Sequence, residues 1–304
     1  FLSFRQFILK KMKRIIILFL VLLNGTVLFA QSNPDWKWVH PRPQGQYLNY
    51  FTMVDANTWY AAGDYGMFMK TTNAGLNWTT KTSGYQQGSY PGMGMFQNYR
   101  GGFFLNANTG FLGVQAVPGI VKTTNGGQTL DTVRILSSGQ GTVYGFYFIN
   151  SSTGYLAGTS TYKVMKTTDA GSTWTAVPNL AAVTYYSVYA SDENNILASS
   201  ESGNVYITTN AGQNWTTSNV GTAVPQLYTL KFQNASTGVV CGSNGLIRFT
   251  TNGGFNWIGT GPPTNYSLYS VAFSGNTTFI AGFLIAQSIY RTTNMGNTWD
   301  SLSY

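Results

Sequence analysis

Beyond its first thirty residues the chain carries nine carboxylates, Asp35, Asp55, Asp64, Asp131, Asp169, Asp192, Glu193, Glu201 and Asp300, and five arginines, Arg42, Arg100, Arg134, Arg248 and Arg291. Two carboxylates on either side of a glycosidic bond are the minimum for acid–base hydrolysis of a sugar chain. Asp55 and Asp64, both expected in loops, could converge with Glu201 for that purpose, although acids this scattered are as well explained as solvated surface charge. His40 is the sole histidine and Cys241 the sole cysteine. That excludes His-based triads, multi-histidine metal sites and an intrachain disulfide framework. These residues define no catalytic, cofactor-binding or metal-binding set.

The other chemistry on offer is adhesive. The segment TSGYQQGSYPGMGMFQNYRGG holds Tyr85, Tyr90, Met93, Met95, Phe96 and Arg100, a group of aromatic and flexible apolar side chains with one cation. Such a loop on a rigid scaffold suits contact with protein or carbohydrate. A glycine-rich insertion that only covers an edge would read the same way.

The scaffold is written in a repeat. TTNAGLNW begins at Thr71, TTNGGQTL at Thr123, TTDAGSTW at Thr167, TTNAGQNW at Thr208, TTNGGFNW at Thr250 and TTNMGNTW at Thr292, at intervals of 52, 44, 41, 42 and 42 residues. That interval is the length of a four-stranded propeller blade. The flanks repeat too: an aromatic (Phe104, Phe148, Tyr189, Phe232, Phe273) precedes strand starts such as TGFLGV, TGYLAG and TGVVCG. With 35 Gly, 20 Tyr, 19 Phe, 8 Trp and only 9% charged residues, composition also favours strands and turns. The pattern predicts an all-β propeller of four-stranded antiparallel blades. Each box is expected as the turn between third and fourth strands, with almost no helix.

Within the box each residue type has a local reason. Asn73, Asn125, Asp169, Asn210, Asn252 and Asn294 can accept hydrogen bonds from the turn backbone. Gly75, Gly127, Gly171, Gly212, Gly254 and Gly296 supply a positive φ. Trp78, Trp174, Trp215, Trp257 and Trp299 open the outer strand and are expected to be largely buried between blades, with Leu130 in the same place in the second repeat. One carboxylate among six boxes argues against calcium, which takes several charged oxygens.

These boxes, the TG-aromatic strand start and the period resemble the bacterial neuraminidase repeat (Asp-box) superfamily, and most of all its branch related to photosystem II stability and assembly factors. The resemblance spans residues 36 to 299 and implies a β-propeller. Such repeats are common in secreted bacterial proteins that bear a C-terminal type IX sorting domain. Sialidases of the superfamily need an arginine triad, a Tyr/Glu pair and an Asp acid, and five dispersed arginines supply no triad. Nor do they supply the arginine-rich patch that the assembly-factor branch implies, so the resemblance carries the fold and not the role. The reading is a non-catalytic binding, interaction or adhesion scaffold. A divergent glycoside hydrolase, of sialidase or endo-glucanase type, is the alternative.

The net charge of +8 invites a search for nucleic acid, but Arg5, Lys10, Lys11, Lys13 and Arg14 carry five of these charges and the remainder is +3. No basic stripe remains for nucleic acid. The basic residues precede the apolar run IIILFLVLL and the small residue Ala30, the pattern of a signal peptide cut after Ala30. Met12 is the better start, with the eleven residues before it read as upstream sequence. Residues 1–30 are therefore assigned to the signal and residues 31–304 to the propeller, secreted or at the cell surface, with the periplasm as alternative. No membrane span remains after cleavage. Trp36-Lys37-Trp38-Val39 resembles a strand that follows a box yet follows none, so six repeats are present and seven blades are expected in the complete protein. A closed six-bladed ring is the alternative.

Overall fold

Runs of four to seven residues with apolar alternation, separated by Gly- and Asn-containing turns, become strands because each turn satisfies its own backbone and leaves the flanking segments to pair. The computed structural model describes residues 47–82, 98–136, 139–221, 226–259, 264–275, 277–282 and 289–302. The chain divides into two compact units, Phe1–His40 and Pro41–Tyr304, and all described residues belong to the second.

Six antiparallel sheets follow one another in sequence. The first blade is β1 (Leu48–Met53), β2 (Trp59–Gly63), β3 (Met67–Thr71) and β4 (Thr79–Thr82). The second is β5 (Tyr99–Phe104), β6 (Gly110–Val114), β7 (Gly119–Thr123) and β8 (Asp131–Arg134). The third is β9 (Val143–Phe148), β10 (Gly154–Gly158), β11 (Val164–Thr167) and β12 (Thr175–Ala176). The fourth is β13 (Tyr185–Ala190), β14 (Ile196–Ser200), β15 (Asn204–Thr208) and β16 (Thr216–Asn219). The fifth is β17 (Leu227–Phe232), β18 (Gly238–Gly242) and β19 (Ile247–Thr250), with a bridge between Phe249 and Ile258 at the outer position among the described residues. The sixth is β20 (Leu268–Ser274), β21 (Thr277–Gly282), β22 (Ile289–Thr292) and β23 (Asp300–Leu302). A single 3-10 turn, Asp64–Gly66, is the only helical element among the described residues.

The protein is thus an all-β, six-bladed propeller in which the first strand of each blade is innermost. Six blades are observed, and residues 36–39, expected to belong to a seventh, lie outside the described residues.

The box turns are built alike. The hydroxyl of the first Thr accepts the buried N–H of the fifth residue at 2.8–3.1 Å in all six blades. The side-chain oxygen of the third residue accepts the N–H four residues on at 2.9–3.0 Å. In Asp169 the carboxylate also takes the Ser172 N–H and the Thr173 hydroxyl, and these bonds draw its pKa down to about 2. The left-handed region is used twice per turn, at the expected glycine (φ 77 to 88°) and also at the residue before it, including Ala74, Ala170, Ala211 and Met295. A residue with a Cβ is strained there, and the paired side-chain bonds hold it in place.

Apolar side chains fill five seams, one between each pair of consecutive blades. The recurrent aromatic belongs to this packing: Phe148 lies across Gly154, its cross-strand partner, where a Cβ would come within 2.5 Å of the ring. The tryptophans pack against these seams to different depths. Trp174 is buried, edge-on to Phe111 and Phe148, and Trp78, Trp215, Trp257, Trp299 and Leu130 are partly buried against neighbouring core residues. Trp215 even spends its indole N–H on the Pro178 carbonyl of the preceding blade, 2.9 Å away.

Candidate functional site

Every innermost strand carries the same irregularity. The register skips one residue at the second position, so that Asn49, Arg100, Tyr144, Tyr186, Tyr228 and Tyr269 each lack a partner on the neighbouring strand. A bulge of this kind re-aims a side chain away from the pleat. Six equivalent bulges therefore turn six side chains out of the seams, at one axial opening.

Four of them are tyrosines on consecutive blades, and their rings touch. Ring centroids are separated by 5.0 Å from Tyr144 to Tyr186, 5.3 Å from Tyr186 to Tyr228 and 4.6 Å from Tyr228 to Tyr269. The first two pairs are tilted by 57° and 68°, and the third is stacked at 23°. The first three rings are half-buried, while Tyr269 is 47% exposed. Burial, helped by the adjacent Tyr144 and Glu201, pushes the Tyr186 phenol up to about 12. Burial likewise raises Tyr228, which donates to Gln226 Oε1 at 2.8 Å. Both remain neutral in any physiological medium.

The strands under the rings are tied together. Ser187 Oγ donates to the Leu230 carbonyl at 3.1 Å, Thr229 Oγ1 to that of Tyr269 at 2.6 Å and Lys231 Nζ to that of Val271 at 3.0 Å. Burial lowers the Lys231 pKa.

On the first two blades the same ring position is polar. Arg100 donates from Nε and Nη2 to Gln115 Oε1 at 3.0 and 2.7 Å, and its Nη1 lies 3.4 Å from Asp64 Oδ1. Asn49 Nδ2 donates to the same carboxylate at 2.8 Å. Asp64, Gln115, Thr159, Glu201 and Ser243 each follow a second strand, and their N–H groups donate to the chain entering the innermost strand. Glu201 also accepts the Thr184 N–H at 2.9 Å. One rim therefore joins an aromatic arc to a charged sector.

Of the residues expected to bind a ligand, Arg100 is this rim's member in the second blade. Tyr85, Tyr90, Met93, Met95 and Phe96 lie outside the described residues. Of the three carboxylates that could have converged, Asp64 and Glu201 lie on this rim, in the first and fourth blades, and Asp55 does not. Asp55 accepts the Asn57 and Thr58 N–H groups at 2.8 and 2.7 Å in the turn before β2, which lowers its pKa, whereas Asp64 follows β2. Five residues of strand, about 16 Å at 3.3 Å per residue, keep the two apart. Among the described residues no three His, Cys, Asp or Glu side chains cluster. A cleft of 360 Å³ beside the first box contains Lys70, Lys81 and Trp78. Its lysines donate to the Gly126, Gly127 and Gln128 carbonyls of the next blade and so close a seam.

The tyrosine arc was missed by sequence reasoning although it left a trace. Val-Tyr-Gly, Tyr-Tyr-Ser, Leu-Tyr-Thr and Leu-Tyr-Ser place an apolar–Tyr–small triplet at intervals of 42, 42 and 41 residues.

Fold and rim define a six-bladed β-propeller that presents re-aimed side chains at an axial opening. A family model described as photosynthesis system II assembly factor YCF48 matches residues 97–226, the stretch holding the second to fourth blades. Among solved structures, YCF48 bound to D1 peptide is 18% identical, with a TM-score of 0.64 over 85% of this chain and 83% of that one. Virginiamycin B lyase from Staphylococcus aureus is 14% identical, with a TM-score of 0.68 over 86% and 85%. The GH74 xyloglucanase from Xanthomonas campestris is 11% identical, with a TM-score of 0.63 over 85% of this chain but 45% of that one. These likenesses are of fold. No curated protein matches the chain.

Proposed function

We propose that this chain is a non-catalytic propeller that binds a segment of a partner protein across its axial rim. The observation that carries the reading is the arc of Tyr144, Tyr186, Tyr228 and Tyr269, four aromatic side chains turned out of the core by bulges and held on tied strands. Rigid, amphipathic tyrosines give large contact area at small entropic cost. Arg100 lies beside the arc and Glu201 within it, next to Tyr186, and the two charges orient the bound segment electrostatically. A similar propeller, YCF48, is described as bound to a peptide, which supports a protein ligand over a sugar. The box chemistry and the N-terminal basic-then-apolar segment support a secreted or cell-surface Asp-box protein.

Panning a random peptide display library on the purified chain tests the reading. Enriched peptides should bind the unmodified protein and lose at least tenfold in affinity against Tyr228→Ala or Tyr269→Ala. Enriched peptides that bind both variants unchanged, or no enrichment at all, would refute it.

A further inference from the structure

The charges of the rim do not cancel. Arg100 is matched by Asp64, its Nη1 3.4 Å from that carboxylate, and by Gln115. Glu201 has no such match: the ion pairs among the described residues are Arg100–Asp64, Lys166–Glu193 and Arg291–Asp300. It is half-buried, and its side chain accepts the Thr184 N–H at 2.9 Å, two residues before Tyr186. That bond uses one of the roughly four acceptor sites of a carboxylate. Lys163, in the turn between β10 and β11, gives its Nζ to the Leu180 carbonyl at 3.0 Å and does not supply the missing charge. In a chain whose formal charge is +8, the tyrosine arc thus holds an unbalanced carboxylate.

We infer that the rim takes a cationic side chain of the bound segment, arginine in preference to lysine, with Glu201 as its counter-ion and the tyrosine rings as its bed. The inference rests on the peptide-binding reading above and names the residue type that reading leaves open. Tyr144, Tyr186, Tyr228 and Tyr269 touch one after another, so the ligand meets the surface the rings make together rather than a gap between them. Aromatic faces are the negative side of the ring quadrupole and attract a cation. A guanidinium is planar, lies flat on such a surface, and presents five N–H donors and no acceptor in a fork that matches a carboxylate. Tyr228 gives its own proton to Gln226 Oε1 at 2.8 Å, which leaves its oxygen as an acceptor. A neutral ligand would cover Glu201 without pairing it, at a cost in lost hydration.

Tyrosine-ring NMR spectra of the full chain, recorded while N-acetyl-arginine amide is added, test this, with the lysine, norleucine and glutamate counterparts alongside. Saturable shifts of the Tyr186 and Tyr228 resonances are expected with the arginine compound, with affinity weaker by about threefold or more for the lysine compound, and no shifts with the other two. Affinity for the arginine compound should fall by about fivefold or more in Glu201→Gln, which keeps an oxygen for the Thr184 N–H, and should fall also in Tyr269→Ala, an exposed position. It should persist in Glu193→Gln at the opposite end of the same blade. Absent shifts, an equal response to norleucine, or indifference to Glu201→Gln overturns the inference. If display-selected peptides bind through the tyrosines without a basic residue, and bind Glu201→Gln unchanged, peptide recognition stands and the cation assignment falls. If the arginine compound binds as expected while no peptide is enriched, the rim holds a cation and the peptide reading falls.

Discussion

Each box opens with two threonines, and the structure gives them opposite roles. In the fourth blade Thr208 is 2% exposed, whereas Thr209 faces solvent. Thr208 Oγ1 donates to Asn210 Oδ1 at 2.9 Å and accepts the Gly212 N–H at 2.9 Å and the Asn210 N–H at 3.3 Å. Valine at position 208 keeps the shape and removes the hydroxyl. Gly212 is buried, so its N–H then lacks an acceptor, at about 1–3 kcal/mol, and the lost donated bond adds about 1 kcal/mol. Thr208→Val should therefore destabilise by about 2–4 kcal/mol. At roughly 2–4 °C per kcal/mol for a domain of this size, the melting temperature should drop by about 4–16 °C. Thr209→Val should change stability by less than about 0.5 kcal/mol. Urea unfolding followed by far-UV circular dichroism measures both. Because Asn210 belongs to the same network, Thr208→Val and Asn210→Ala should combine less than additively. Equal effects of the two threonine variants would refute the turn account.

Trp174→Ala should cost about 3–5 kcal/mol as a buried large-to-small change, and Trp215→Ala clearly less, since that indole is half-buried; paired denaturation curves check the order. Asp169 has its folded pKa drawn from 3.8 to about 2, so its ionised form stabilises the protein above about pH 4 and that contribution fades as pH falls through about 2. Asp169→Asn should therefore flatten the dependence of melting temperature on pH between about 4 and 2, and a parallel curve for the variant would count against it.

The boxes were readable because their chemistry is local: Thr, Asn or Asp, and Gly complete one another's hydrogen bonds within five residues, so identity and spacing suffice. The 42-residue period then demanded blades, since one four-stranded sheet cannot bury both faces. Four matters needed the folded chain. The left-handed residue before each glycine is alanine or methionine in four boxes, types that announce no such backbone. The burial of each box tryptophan depends on what the surrounding strands pack against it, as Phe111, Phe146 and Phe148 do against Trp174. The separation of Asp55 from Asp64 follows from the strand between them. The tyrosine arc depends on bulges, which shift the register by one residue and change which way a side chain faces. Sequence alone determined that Tyr144, Tyr186 and Tyr228 recur every 42 residues; only the tertiary structure decided that they face the axis and touch, because their contacts join strands of different blades.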